Sequence, residues 1–146
     1  MRIFTIGFTK KSAEEFFTLL ENSGVKRLID VRLNNSSQLA GFSKGRDLSY
    51  LLNKILGIDY IHIVELAPTR EILDAYKKKQ ITWFEYEKEF LTLLEQRKPQ
   101  LVEEIDNLDQ ICLLCSEEFS HQCHRRLVAE YIQKVNPEVN IEIVHL

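Results

Sequence analysis

The chain has 146 residues, of which 45% are hydrophobic and 28% charged, with a formal net charge of −3 and a pI near 5.8. That length and balance fit a single domain over residues 1–146 with a proper core, and they exclude a disordered chain. A net negative chain lacks the broad basic face that coats nucleic acid non-specifically, although a small basic pocket is compatible with it.

The start, MRIFTIGFTKK, has a short apolar stretch followed by charges, without the long apolar core and small-residue cleavage site of a signal peptide. No run approaches the ~18 apolar residues that a membrane span requires. Three cysteines, an odd number, do not read as a disulfide framework. A reducing compartment, and hence a cytoplasmic location, is the expectation.

In chain order, Ile3 to Ile6 reads as a strand: short, β-branched and bounded by a turn. Ser12 is an N-cap with Glu15 three residues on, ahead of Phe16, Phe17, Leu19 and Leu20 at helical spacing. Arg27 to Val31 is the second strand. Leu48, Leu51, Leu52, Ile55 and Leu56 form a second helical stripe, stopped by Gly57. Tyr60 to Val64 is the third strand, and residues 69 to 108 read as helical, with a stripe of Trp83, Tyr86, Phe90, Leu93 and Leu94. Gln110 to Cys115 is the fourth strand. Leu127, Val128, Tyr131, Ile132 and Val135 mark a last helix that ends before Pro137, and Ile141 to Val144 the fifth strand. Strands alternating with helices imply a three-layer α/β fold: a mostly parallel sheet of about five strands, helices on both faces, and a helical insert between strands three and four.

Sites in such sheets form at the carboxyl ends of the strands. The densest chemistry there is Cys115-Ser116-Glu117-Glu118-Phe119-Ser120-His121-Gln122-Cys123-His124-Arg125, which holds two thiols, two carboxylates, two imidazoles and a guanidinium. Ser120 reads as the N-cap of the last helix, placing His121 to Cys123 in its first turn. Periodicity then turns His121, Cys123 and His124 inward, with Arg125 flanking and Arg126 nearer solvent. The helix start favours a thiolate or a bound anion. Cys112-x-x-Cys115 is not a ligand pair, because residues three apart on a strand face opposite ways; Cys112 reads as core.

Three readings of the cluster stay open. One is structural, with buried thiols under a helix start. A second is catalytic or anion-binding. The third is zinc, with ligands drawn from Cys115, Cys123, His121 and His124; against it stand the missing CxxC or HxxxH knuckle and the ~100° by which adjacent helical Cys123 and His124 diverge.

Asp30 and Arg32 share a face of the second strand. They form either an ion pair or a planar fork for a carboxylate or phosphate at the strand end. The long polar connection from Leu33 to Arg46 offers Phe42 and Lys44 to a planar, anionic ligand.

Thr5-Ile6-Gly7, Asp30-Val31-Arg32, Phe42, Tyr60-x-His62, Leu66-Ala67-Pro68-Thr69, the Trp83 to Phe90 helix, Leu114-Cys115-x-Glu117 and Cys123-His124-Arg125 follow in order along nearly the whole chain. In these features the chain resembles the domain of unknown function 488 family. Where members of that family often place proline after the DVR strand, this chain has Asn34-Asn35. The resemblance implies an α/β fold and marks the same pockets; the family brings no assigned reaction.

The expected function is therefore an enzyme or ligand-binding domain with a Cys/Glu/His/Arg pocket for an anionic, nucleotide-like or nucleic-acid ligand. Arg32, Arg125, Phe42 and Lys44 would bind it, Glu117 or His124 would handle protons, and Cys115 or Cys123 would be nucleophile or redox centre. The strand–Cys–loop–Arg–helix order is similar to that of rhodaneses and cysteine phosphatases. Those enzymes, however, wrap the anion with a short glycine-bearing loop, and Cys115 to Arg125 contains no glycine. The alternative is a non-catalytic nucleic-acid-associated or zinc-stabilised interaction module. No resident cofactor is expected, with zinc as the exception that the alternative would need. His62 reads as a core or rim histidine, Trp83 as core, and Lys77 to Lys79 as a solvated helix end.

Overall fold

The computed structural model describes residues 1–36, 41–98 and 109–146. Its strands are β1 (Arg2–Gly7), β2 (Arg27–Asp30), β3 (Asp59–His62), β4 (Ile111–Cys115) and β5 (Glu142–His145). They form one sheet in the order β3-β2-β4-β1-β5, and every pairing is parallel. The central strands need continuous apolar runs because both faces are covered. Accordingly Ile3 to Gly7 and all of β4 are buried.

The helices are α1 (Ala13–Ser23), α2 (Gly45–Leu51), α3 (Arg70–Lys77), α4 (Trp83–Arg97) and α5 (His124–Val135). Ser12 caps α1 by accepting the Glu15 N–H, and Gly24 closes it at φ 69°, a left-handed conformation that favours glycine. A π-helical turn, Leu52–Leu56, prolongs α2 up to Gly57. Thr69 and Thr82 cap α3 and α4 in the same way as Ser12 caps α1. The helical insert between β3 and β4 is thus α3 and α4; its expected continuation over residues 99–108 lies outside the described residues. No helix among the described residues is long and apolar enough to cross a membrane.

The chain steps from β1 to β2 to β3 in one direction across the sheet, then returns to β4 and β5. Right-handed crossovers put the connecting helices of the two legs on opposite faces. On one face, Phe16, Leu20, Leu48 and Leu52 of the first leg pack on Phe4, Ile6, Leu28, Cys112 and Leu114. On the other, Tyr86, Phe90, Leu94, Leu127, Val128 and Ile132 pack on Ile3, Ile29, Leu113 and Cys115. Each such fully buried side chain contributes about 1.5–3 kcal/mol. Cys112 and Cys115 therefore belong to different cores, as strand parity requires. Neighbouring β2 and β4 send their chains to opposite faces, so a crevice opens between their carboxyl ends.

Candidate active-site cleft

Asp30 and Arg32 close the end of β2 as a buried ion pair. Arg32 donates Nε to Asp30 Oδ1 at 2.8 Å and Nη2 to Asp30 Oδ2 at 2.6 Å. The Arg32 backbone N–H also reaches Oδ1 at 3.1 Å, and the Tyr60 hydroxyl donates to Oδ2 at 2.6 Å. Nη2 donates further to the Ser43 carbonyl at 2.7 Å, and the guanidinium carbon stands 5.3 Å from the Phe8 ring centre. Arg32 is only 3% exposed, yet its Nη1 has no hydrogen-bond partner among the described residues. An unmet donor buried on a cation costs about 1–3 kcal/mol or more.

The end of β4 is built around sulfur. Cys115 and Cys123 are bonded to each other. The odd cysteine count misled on this point: one pair and one buried free thiol, Cys112, share the chain. The pairing also moves the helix start. Cys123, not Ser120, is the N-cap of α5, with extended backbone at φ −140° and ψ 138°, and Ser120 instead starts a turn closed by the Cys123 N–H. The expected inward histidine at 121 is consequently exposed, beside the Phe119 ring. Cys123, His124 and Arg125 are buried.

Arg125 serves the loop between β4 and α5. Its Nη1 donates to the Glu117 carbonyl at 2.5 Å, Nη2 to the Glu118 carbonyl at 3.3 Å, and Nε to Thr5 Oγ1 at 3.3 Å. Burial pulls this guanidinium down to about 10, so it remains a cation at neutral pH. The loop thus turns carbonyl oxygens onto a cation, the reverse of the N–H cradle that wraps an anion in rhodanese-like sites. Gly7 makes this possible, since a Cβ there would overlap the Glu117 carbonyl and stand 2.7 Å from Arg125 Nη1.

Two histidines brace the end of β2. His124 Nε2–H donates to the Val31 carbonyl at 2.7 Å, and His62 Nε2–H to the Arg32 carbonyl at 2.6 Å. Burial lowers the His124 pKa to about 4, so the ring is neutral with its lone pair on Nδ1. A ring nitrogen of His124 and the two sulfurs lie within 4.8 Å of one another. The expected divergence of Cys123 and His124 does not occur, because Cys123 is not helical. Zinc nevertheless finds no support: the sulfurs are spent on each other, and a closed zinc site needs four donors where this group has three.

These strand ends line a cleft of about 330 Å³. Arg32, Asn34, Cys115, Ser116, Glu117, Cys123 and His124 border it from the sheet side, and Arg70, Asp74, Tyr76, Lys77, Trp83 and Tyr86 from the helical insert. The insert supplies an aromatic wall: Trp83 stacks on Tyr86 at 4.9 Å, and Tyr76 meets them at 5.6 Å and 5.1 Å. Gln122 reaches across to the Tyr76 hydroxyl at 3.4 Å.

The structure therefore brings together Cys115, Glu117, Cys123, His124 and Arg32 of the expected set. It keeps Arg125 behind the loop. Phe42 packs on Phe16 and Phe17 over the α1 face, 5.4 Å and 6.1 Å between ring centres, and Lys44 is an exposed residue ahead of α2; neither lines the cleft. Sequence reasoning missed Arg70, Tyr76 and the cleft-facing role of Trp83. The one available signal was the pairing of an aromatic-rich insert with a strand-end site.

The family model for Domain of unknown function DUF488 matches residues 12–132, most of the chain, and the chain belongs to that family. No curated protein and no solved structure matches it.

Proposed function

We propose that this member of the DUF488 family binds a small anionic ligand carrying a planar group, nucleotide-like in character, in the cleft between the ends of β2 and β4. The observation that carries the reading is that buried Nη1 of Arg32, a residue that lines the cleft, has no hydrogen-bond partner among the described residues. Asp30 fixes the guanidinium, so Nη1 is preorganised to give a charge-assisted hydrogen bond to a phosphate or carboxylate oxygen. Arg70 and Lys77 add exposed cations at the rim, and Tyr76 and Trp83 offer apolar faces to a ring. A volume of about 330 Å³ suits a small molecule better than a nucleic-acid strand. Glu117 is the exposed acid–base group at the mouth, and Cys115, Cys123 and His124 are the reactive floor. This makes an enzyme the favoured form of the proposal, working in the cytoplasm, where a reducing compartment can keep the sulfurs able to open.

Trp83 is the chain's single tryptophan, so its fluorescence reports on the cleft directly. Titration with inorganic phosphate, a nucleoside monophosphate and a short single-stranded oligonucleotide should give saturable quenching, strongest for the nucleotide. Arg32→Lys keeps the charge opposite Asp30 but loses the fork, and should weaken binding by roughly tenfold, the value of one charge-assisted hydrogen bond. Wild-type affinity in Arg32→Lys, or no response to any of the three anions, refutes the reading. A preference for the oligonucleotide would replace the small-molecule ligand with a nucleic-acid end.

A further inference from the structure

We infer that the Cys115–Cys123 disulfide is exchange-active, and that the cleft's substrates are small thiols and disulfides bearing an anionic group; this rests on the anion reading of Arg32. Four observations converge. Both sulfurs line the same cleft as Arg32. The bond joins the end of β4 to the start of α5 and closes a loop of only eight positions, already held by Arg125 through two carbonyls. A bond across so short a loop removes somewhat less chain entropy than a longer closure would, so its place in the cleft distinguishes it more than its span does. Cys123 sits at the N-terminus of a twelve-residue helix with no side-chain cap, where the partial positive charge of unpaired N–H groups favours a thiolate. Finally, Cys115 and Cys123 are 1% and 2% exposed. Another protein's active site cannot reach them, so any exchange partner has to be a molecule small enough to enter the cleft.

The exchange runs in two displacements. A bound thiolate attacks Cys115 Sγ; the new S–S bond forms as the Cys115–Cys123 bond breaks, and the electron pair leaves on Cys123 Sγ. A second thiolate attacks the mixed disulfide at the substrate sulfur, releasing Cys115 as a thiolate. Two thiols have then become one disulfide, and the protein pair has gained two electrons and two protons. A small disulfide run through the same steps in reverse restores the Cys115–Cys123 bond. Cys123 is the better leaving group because the helix start stabilises its charge. His124 beside it is neutral and so does not supply an imidazolium partner.

The test uses the folded full-length protein. It is treated with a neutral thiol, 2-mercaptoethanol, or an anionic one, mercaptopropionate, at equal thiolate concentration. Each sample is quenched with iodoacetamide and weighed intact, with circular dichroism as the check on folding. The inference expects two alkyl groups per folded chain, on Cys115 and Cys123, with Cys112 silent. Opening by the anionic thiol should be roughly tenfold faster, and Arg32→Lys should bring the ratio of anionic to neutral rates toward one. In Cys123→Ser, glutathione disulfide should leave a stable adduct on Cys115. In Cys115→Ser, the remaining Cys123 should alkylate with a midpoint below the ordinary thiol value of about 8.5. A bond that opens only when the chain unfolds, or a reduced pair that glutathione disulfide cannot close, overturns the inference and leaves phosphate binding at Arg32 untouched. Exchange without any anion preference would instead refute the ligand reading and keep the sulfur chemistry.

Discussion

Replacing Asp30 by alanine tests the arrangement on which the cleft depends. The carboxylate accepts four hydrogen bonds: from the Arg32 N–H, Nε and Nη2, and from the Tyr60 hydroxyl. Both charged side chains are almost wholly buried, at 0% and 3% exposed. Without Asp30, Arg32 keeps the Ser43 carbonyl and the Phe8 ring, neither of which carries a full negative charge. Breaking a buried pair by removing one partner costs about 3–5 kcal/mol, roughly a fifth or more of the stability of a typical domain. In urea, followed by circular dichroism, Asp30→Ala should shift the midpoint down at unchanged slope by that amount. The double variant Asp30→Ala/Arg32→Met removes the stranded cation as well and should recover at least about 1 kcal/mol. A single variant that costs under about 1 kcal/mol, or a double variant no more stable than the single, would refute the claim that the pair is one desolvated unit.

Two further predictions follow from the braces around this unit. His124 has its pKa lowered to about 4 in the fold, against an ordinary 6.5, so below pH 6.5 the unfolded chain binds the proton first. Stability is therefore full above pH 6.5 and lost as pH falls toward 4, by about 2–3 kcal/mol from this residue. His124→Gln keeps a donor for the Val31 carbonyl and should flatten that part of the pH profile; parallel profiles for the two proteins would refute the assignment. Gly7→Ala drives a methyl group into the Glu117 carbonyl and against Arg125, and should cost about 1–3 kcal/mol in a urea midpoint. An unchanged midpoint would mean that the loop yields freely.

The sheet and its helices were legible because β4 is apolar along its whole length and the helices carry amphipathic stripes. Local chemistry, such as the Ser12 cap, was legible for the same reason: its partners lie within four residues. Strand parity alone assigns Cys112 and Cys115 to opposite faces of the sheet, where the two cores hold them. What failed needed distance information. Helix α5 starts three residues later than Ser120 suggests because Cys123 is drawn to Cys115, which holds its backbone extended. Trp83 read as core because a helical stripe reveals which residues face inward, not whether a cleft interrupts the contact. Phe42 and Lys44 are near Arg32 in sequence, but the chain turns onto the α1 face, where Phe42 finds Phe16 and Phe17. Arg70 carries no motif at all, and only the packing of the insert brings it to the rim.

The two imidazoles on the successive carbonyls just after β2 have a thermodynamic consequence. The Val31 and Arg32 carbonyls lie just past the strand's last sheet residue, where backbone ordinarily frays. Here His124 from one element and His62 from another hold them, while Asp30 holds the Arg32 side chain. Much of the loss of motion that ligand capture normally demands at a strand end has thus already occurred during folding. An anion of the kind proposed would meet a guanidinium whose conformational freedom is spent, so more of its interaction energy would remain as affinity.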